Sequence, residues 1–303
     1  MRYAPLLYPT ADDWRDAPEK RVALFGMSGL GKTFLSSMLR ETGGWFHYSV
    51  DYRIGTRYLG ERIADSVKRE AMKVPFLRDL LMSDSIYIGS NITFNNLAPL
   101  STYLGKPGDP AHGGLSLSEY RRRQAEHDAA ERAALLDTDR FIDRAQALYG
   151  YPHFVGDTGG SICEVVDPTD PGDPVLTALS ARMLLVWIAG SDAHREDLIR
   201  RFEKAPKPMA YQPAFLSETW DGYVKATGLS ETEVDPDAFI RHAYGRAMAH
   251  RQPRYAAMAE HWGVTVLAED VAKVHDESGF VALIAAALER AADATYLQAP
   301  RAP

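Results

Sequence analysis

Gly26-Met27-Ser28-Gly29-Leu30-Gly31-Lys32-Thr33 is the stretch on which the reading of this chain turns. It matches G-x-x-x-x-G-K-[ST], the P-loop pattern that wraps phosphates. Ordinary residue frequencies give about 0.01 accidental matches in a chain of this length. Its surroundings agree. Val22-Ala23-Leu24-Phe25 is a short apolar run ending at a glycine, as a buried strand does. Phe34, Leu35, Met38 and Leu39 then recur at helical spacing until Gly43-Gly44 stops them. Glycines let the backbone curl so that several N–H groups point at one phosphate chain, and the helix start adds the positive end of its dipole. Gly26, Ser28, Gly29 and Gly31 are therefore expected to cradle the phosphates of ATP. Lys32 should reach the outer phosphates and the Thr33 hydroxyl should bind Mg²⁺.

Outward from that loop, four more strand candidates follow: Trp45 to Val50, His153 to Val155, Met183 to Ile188 and Val264 to Leu267. Helical stretches separate them, notably 118–149 and 192–204, and 278–292 closes the series. Strands alternating with helices predict an α/β P-loop NTPase fold, a five-stranded parallel sheet flanked by helices and buried on both faces. Residues 1–20 read as a leader draped on the surface. The whole of 1–303 reads as a single P-loop kinase-like domain, with 53–115 as an inserted substrate-binding region and 190–235 as a lid and insertion. Ligands in such sheets bind at the carboxyl ends of the strands. Asp51, after the second strand, is thus expected to bind substrate or accept a proton, and Asp157, after the third, to help hold Mg²⁺. Either aspartate has the alternative of capping a helix.

Composition narrows the classes. With 303 residues, 46% hydrophobic and 25% charged, the chain has the proportions of a globular protein, which excludes disordered, collagenous and disulfide-scaffold classes. Forty-one acidic against thirty-four basic residues give −7, so no nucleic acid and no anionic membrane is expected as a partner. Cys163 is the single cysteine and cannot form an internal disulfide. That favours a reducing compartment, and Cys163 itself reads as a small buried hydrophobe. Met1-Arg2-Tyr3-Ala4-Pro5 lacks an apolar signal core, and the expectation is a cytoplasmic protein.

At this point the sequence resembles shikimate kinase and the related small-molecule kinases of the nucleoside-monophosphate-kinase type. The P-loop comes first, and Asp51 stands where that family has the later Asp of a D-x-D pair. Ser118-Glu119-Tyr120-Arg121-Arg122-Arg123 resembles its E-F-R-R helix, Asp157-Thr158-Gly159-Gly160-Ser161 its glycine turn, and His250-Arg251-Gln252-Pro253-Arg254-Tyr255 its K-R-x-P-x-Y segment. The resemblance implies substrate contacts from Arg121, Gly159, Gly160 and Arg251, and lid arginines acting on the transferred phosphoryl, for which Arg200 and Arg201 are the candidates. On residues alone, Arg121 to Arg123 equally fit a salt-bridged helix face with Glu119 and Glu126. The chain departs from the family where Ser49 replaces the first Asp of the pair, where Lys207-Pro208 replaces Arg-Pro in the lid, and in the length of 53–115.

The function expected is phosphoryl transfer from ATP-Mg²⁺ to a hydroxyl of a small, anionic metabolite larger than or different from shikimate. Lys32, Asp51, Arg200 and Arg201 would act in the chemistry. The competing expectation is a P-loop ATPase or nucleotide-dependent switch acting on a protein partner.

Overall fold

The five apolar runs form strands β1 (Arg21–Phe25), β2 (Trp45–Ser49), β3 (His153–Asp157), β4 (Leu184–Ala189) and β5 (Gly263–Leu267). They pair in the order β2-β3-β1-β4-β5, and every pairing is parallel. The structure is a computed structural model in which residues 2–298 are described; Met1 of the opening run lies outside them. Val22, Ala23, Leu24 and Phe25 are wholly buried, which is why β1 reads as a continuous apolar run instead of alternating. Each such Val, Leu or Phe contributes roughly 1.5–3 kcal/mol by leaving water.

In chain order the helices are α1 (Ala11–Asp16), α2 (Lys32–Glu41), α3 (Val50–Arg53), α4 (Gly60–Ala71), α5 (Pro75–Met82), α6 (Ala98–Leu104) and α7 (Leu117–Tyr149). After β3 come α8 (Ile162–Val165), α9 (Pro174–Arg182), α10 (Asp192–Lys204), α11 (Pro213–Thr227) and α12 (Pro236–Trp262), and after β5 α13 (Ala268–Val271) and α14 (Glu277–Gln298). The mixed α/β architecture with an all-parallel five-stranded sheet and flanking helices is the one the alternation predicted. None of the helices among the described residues is long and apolar enough to cross a membrane.

The chain divides into two compact units. The first takes in the chain up to Val50, Leu135–Arg201 and the chain from Ala247 on, and contains the sheet. α2 packs on β2 and β3, α9 on β4, and α14 on β5 and α1. The second comprises Asp51–Ala134 and Phe202–Arg246. It is helical, and α11 buries Phe215, Leu216, Thr219 and Trp220 on one stripe, with the Trp220 ring edge-on to Phe239 at 4.8 Å.

Two expectations about the sheet unit are corrected. Residues 1–20 are no surface leader: Thr10 and Asp13 form a capping box that starts α1, and the helix carries Trp14 wholly into the core. There its indole N–H donates to the Val281 carbonyl at 2.9 Å and its ring meets Phe280 edge-on. The second strand stops at Ser49 instead of running to Val50, so Asp51 sits in the first turn of α3 and not at a strand end. An Asp there is favoured by the helix dipole, which is the bland explanation for its presence.

Candidate functional site

Residues 26–31 join β1 to α2 as a glycine loop at the carboxyl edge of the sheet. Gly26, Gly29 and Gly31 all have positive φ, +131°, +90° and +101°. At Gly26 the demand for glycine is double, because a Cβ there would also come within 2.7 Å of the Ile188 carbonyl oxygen. The curl leaves the amides of Met27, Ser28, Gly29, Leu30 and Gly31 without a hydrogen-bonded partner among the described residues, and the Leu35 amide donates back to the Gly31 carbonyl at 2.9 Å. Backbone donors in folded proteins are nearly always paired, so a run of open N–H groups at a helix start is a ready anion cradle. Ser28, Gly29 and Thr33 are exposed, so the cradle opens to solvent.

Lys32 is tucked beneath the loop. It is 5% exposed, and its ammonium donates to the Gly26 carbonyl at 2.8 Å and the Met27 carbonyl at 3.0 Å. The loop's own carbonyls supply acceptors for the charge, and hydrogen bonds to a charged group are worth roughly 1.5–3 kcal/mol each. The lysine is thus held beneath the loop by the loop's own backbone.

Thr33 and Asp157 meet across the sheet edge. The Thr33 hydroxyl donates to Asp157 Oδ2 at 2.8 Å, and Asp157, 6% exposed, also accepts the Gly159 amide on Oδ1 at 3.2 Å. The parallel register explains the meeting: Asp157 lies opposite Leu24 on one side and Ser49 on the other, level with the end of β1. A hydroxyl and a carboxylate are hard oxygen donors, the sparse set Mg²⁺ accepts when phosphate oxygens and water complete its octahedron. No cluster of three or more His, Cys, Asp or Glu able to hold a metal by itself occurs among the described residues. His47 lies buried on β2 near this carboxylate; burial pushes its pKa down to about 4 against the opposing pull of Asp157, so it is neutral at pH 7.

The turn after Asp157 lies against the loop, for a Cβ on Gly160 would approach the Ser28 amide nitrogen to 3.3 Å. Arg251 pins this turn from behind. Its Nε donates to Glu164 Oε1 at 2.6 Å and its Nη1 to the Gly160 carbonyl at 3.1 Å, which also accepts the Tyr255 hydroxyl at 2.7 Å. Burial would raise the Glu164 pKa, but Arg251 and His250 outweigh it and hold the carboxyl at about 2. Arg251 is 1% exposed, so its guanidinium braces Gly160 and presents no open face to a substrate, contrary to expectation. Cys163 beside it is buried with its thiol pushed up to about 12, an inert thiol as read from the sequence.

Arg200 and Arg201 are exposed on α10 and both pair with Asp197, the i,i+3 and i,i+4 partner on their own helix. Arg121 is exposed, with Ser217 as its 3.3 Å neighbour; the member of the triplet that turns inward is Arg123, bound to Glu119 and the Tyr103 carbonyl. Asp51 is half-buried in α3. Sequence reasoning missed the Glu164–Arg251–Tyr255 brace, whose only signal was an acid in an otherwise apolar Ile162 to Val166 run.

No family model matches this chain, and no curated protein does. A solved structure of a shikimate kinase from Bacteroides thetaiotaomicron is similar over 91% of this chain and 98% of that one, at 15% identity and a TM-score of 0.36. A likeness of that degree carries no functional argument.

Proposed function

We propose that the chain binds ATP-Mg²⁺ in the 26–33 loop and transfers a phosphoryl group to a hydroxyl of a small, anionic metabolite. The observation that carries the proposal is the loop itself: open amides from Met27 to Gly31, the ammonium of Lys32 beneath them, and the Thr33–Asp157 pair at its lip. Bound ATP-Mg²⁺ would supply the transferable phosphoryl group together with a divalent charge to neutralise it. The amides of 27–31 would take up phosphate oxygens. Lys32 would exchange two carbonyl acceptors for phosphate, a trade that gains because charge meets charge. Thr33 and Asp157 would hold the metal. Asp51, two residues beyond Ser49, is assigned to accept a hydrogen bond from the acceptor hydroxyl, which orients it for attack. Arg200 and Arg201 are engaged with Asp197, and the proposal gives them no part.

The test is ADP release by the full chain across a library of hydroxylated carboxylates and phosphates. Stimulation by one chemical class is expected. Nucleotide hydrolysis that no acceptor stimulates would transfer the reading to the ATPase or switch class.

A further inference from the structure

The second unit contains a cavity of about 700 Å³, within the range of roughly 300–1,000 Å³ typical of small-molecule sites. It is lined from three separated stretches of the chain, 94–113, 206–208 and 236–237, so no single local motif announces it. Lys207 is its distinctive wall. The residue stands between Pro206 and Pro208, all three line the cavity, and Lys207 has no hydrogen bond or ion pair among the described residues. A proline fixes its own φ and restricts the residue before it to extended conformations, so the Pro-Lys-Pro segment offers an ammonium group from a stiff arm.

A second cation faces the same space. Lys106 is bonded to Asp237 at 2.5 Å, and Asp237 also has Arg241 at 3.9 Å. Asp237 therefore keeps a cationic neighbour when Lys106 turns to a ligand. The cavity's two lysines exceed its one carboxylate by one charge with histidine neutral. Neutral polar groups complete the wall: the side chains of Asn95, Ser101 and Thr102 make no hydrogen bond among the described residues, and Phe94, stacked on Tyr52 at 4.8 Å, gives a flat apolar face.

We infer that this cavity is a binding site for a small hydroxylated molecule carrying a phosphate or carboxylate group, with Lys207 as its anchor and Lys106 released from Asp237 on binding. The inference goes beyond the nucleotide reading and does not depend on it.

The experiment labels the full chain with pyridoxal 5′-phosphate, traps the lysine imine with borohydride and maps the peptides. Neutral pyridoxal is the control for charge, and exposed Lys225 the control for reactivity. Lys207 should react about tenfold or more faster with the phosphate-bearing probe than with the neutral one, an excess Lys225 does not show, because a cationic concave site concentrates anions. Millimolar inorganic phosphate should suppress that excess, and Asp237→Asn should raise labelling of Lys106 severalfold. Equal rates at Lys207 and Lys225, or no preference for the charged probe, would overturn the site. So would protection of Lys207 by ATP-Mg²⁺ that disappears in Lys32→Ala, since the lysine would then serve the glycine loop. Protection by inorganic phosphate that survives Lys32→Ala supports the cavity whatever becomes of the kinase reading.

Discussion

Residues 26–31 and 105–114 are both glycine-rich loops, and each has three glycines at positive φ. Their backbone donors go to opposite places. In the second loop the amides are consumed by carbonyls: Gly108 donates to Leu115, Leu115 to Lys106, Gly114 and His112 to Asp109, Gly113 to Pro110, and Asp109 to Val234. The Asp109 carboxylate takes the Ala111 amide as well. In the first loop the Met27 to Gly31 amides have no partner among the described residues. One loop is a closed wall and the other an open cradle, although composition alone does not separate them. The difference lies in setting, because the first loop leaves a buried strand and feeds a ten-residue helix whose first-turn carbonyls accept from its own amides and leave the loop no acceptor.

The largest expected effect tests what holds the open loop open. Glu164→Gln leaves the Arg251 guanidinium buried without its carboxylate, which should cost about 3–5 kcal/mol in urea unfolding. The pH dependence has a definite sign. The folded Glu164 pKa is depressed, to about 2 from 4.5, so the pair contributes fully above about pH 4.5 and is lost as pH falls towards 2. The variant should therefore lose stability at neutral pH and show a flatter acid limb than the parent. An unchanged acid limb would remove the brace from the account.

Next comes a direct contrast of the two loops. Gly26→Ala forces a Cβ to within 2.7 Å of a backbone oxygen at φ +131°, whereas Gly113→Ala, at φ +77°, meets nothing within 4 Å. The first should cost about 3 kcal/mol and abolish ATP binding; the second should cost about 1 kcal/mol and leave it intact. Equal costs would mean the glycines play equivalent parts.

Asp51→Asn gives a smaller and more selective effect. If Asp51 orients an acceptor, turnover should fall about 10²-fold with ATP affinity within a few-fold. If it only serves the first turn of α3, Asn replaces it at well under 1 kcal/mol and turnover survives.

Much of this was legible in the residues, for reasons that are themselves physical. The five strands are short apolar runs between helical periodicities, and burial on both faces makes such runs visible. The helix predicted over 192–204 spans those residues in the structure, because its charges follow i,i+3 and i,i+4 spacing. The same spacing ties Arg200 and Arg201 to Asp197, a pairing that the lid reading passed over. Trp14 was obscured by its Pro- and Asp-rich neighbours, though Thr10 and Asp13 signalled a helix start. Which of Arg121, Arg122 and Arg123 turns inward depends on helix phase against Tyr103, some twenty residues away, and no local pattern encodes that. The cavity is invisible in sequence for the same reason, its walls being assembled from three separated stretches.

Calorimetric titration of ATP with Mg²⁺ into the parent and Lys32→Ala tests the proposal that the open loop is a nucleotide site. The parent should bind, and the variant, having lost the ammonium now shared by the Gly26 and Met27 carbonyls, should bind about 10²-fold more weakly or not at all. Equal affinity in the two proteins, or no binding by the parent, would contradict it.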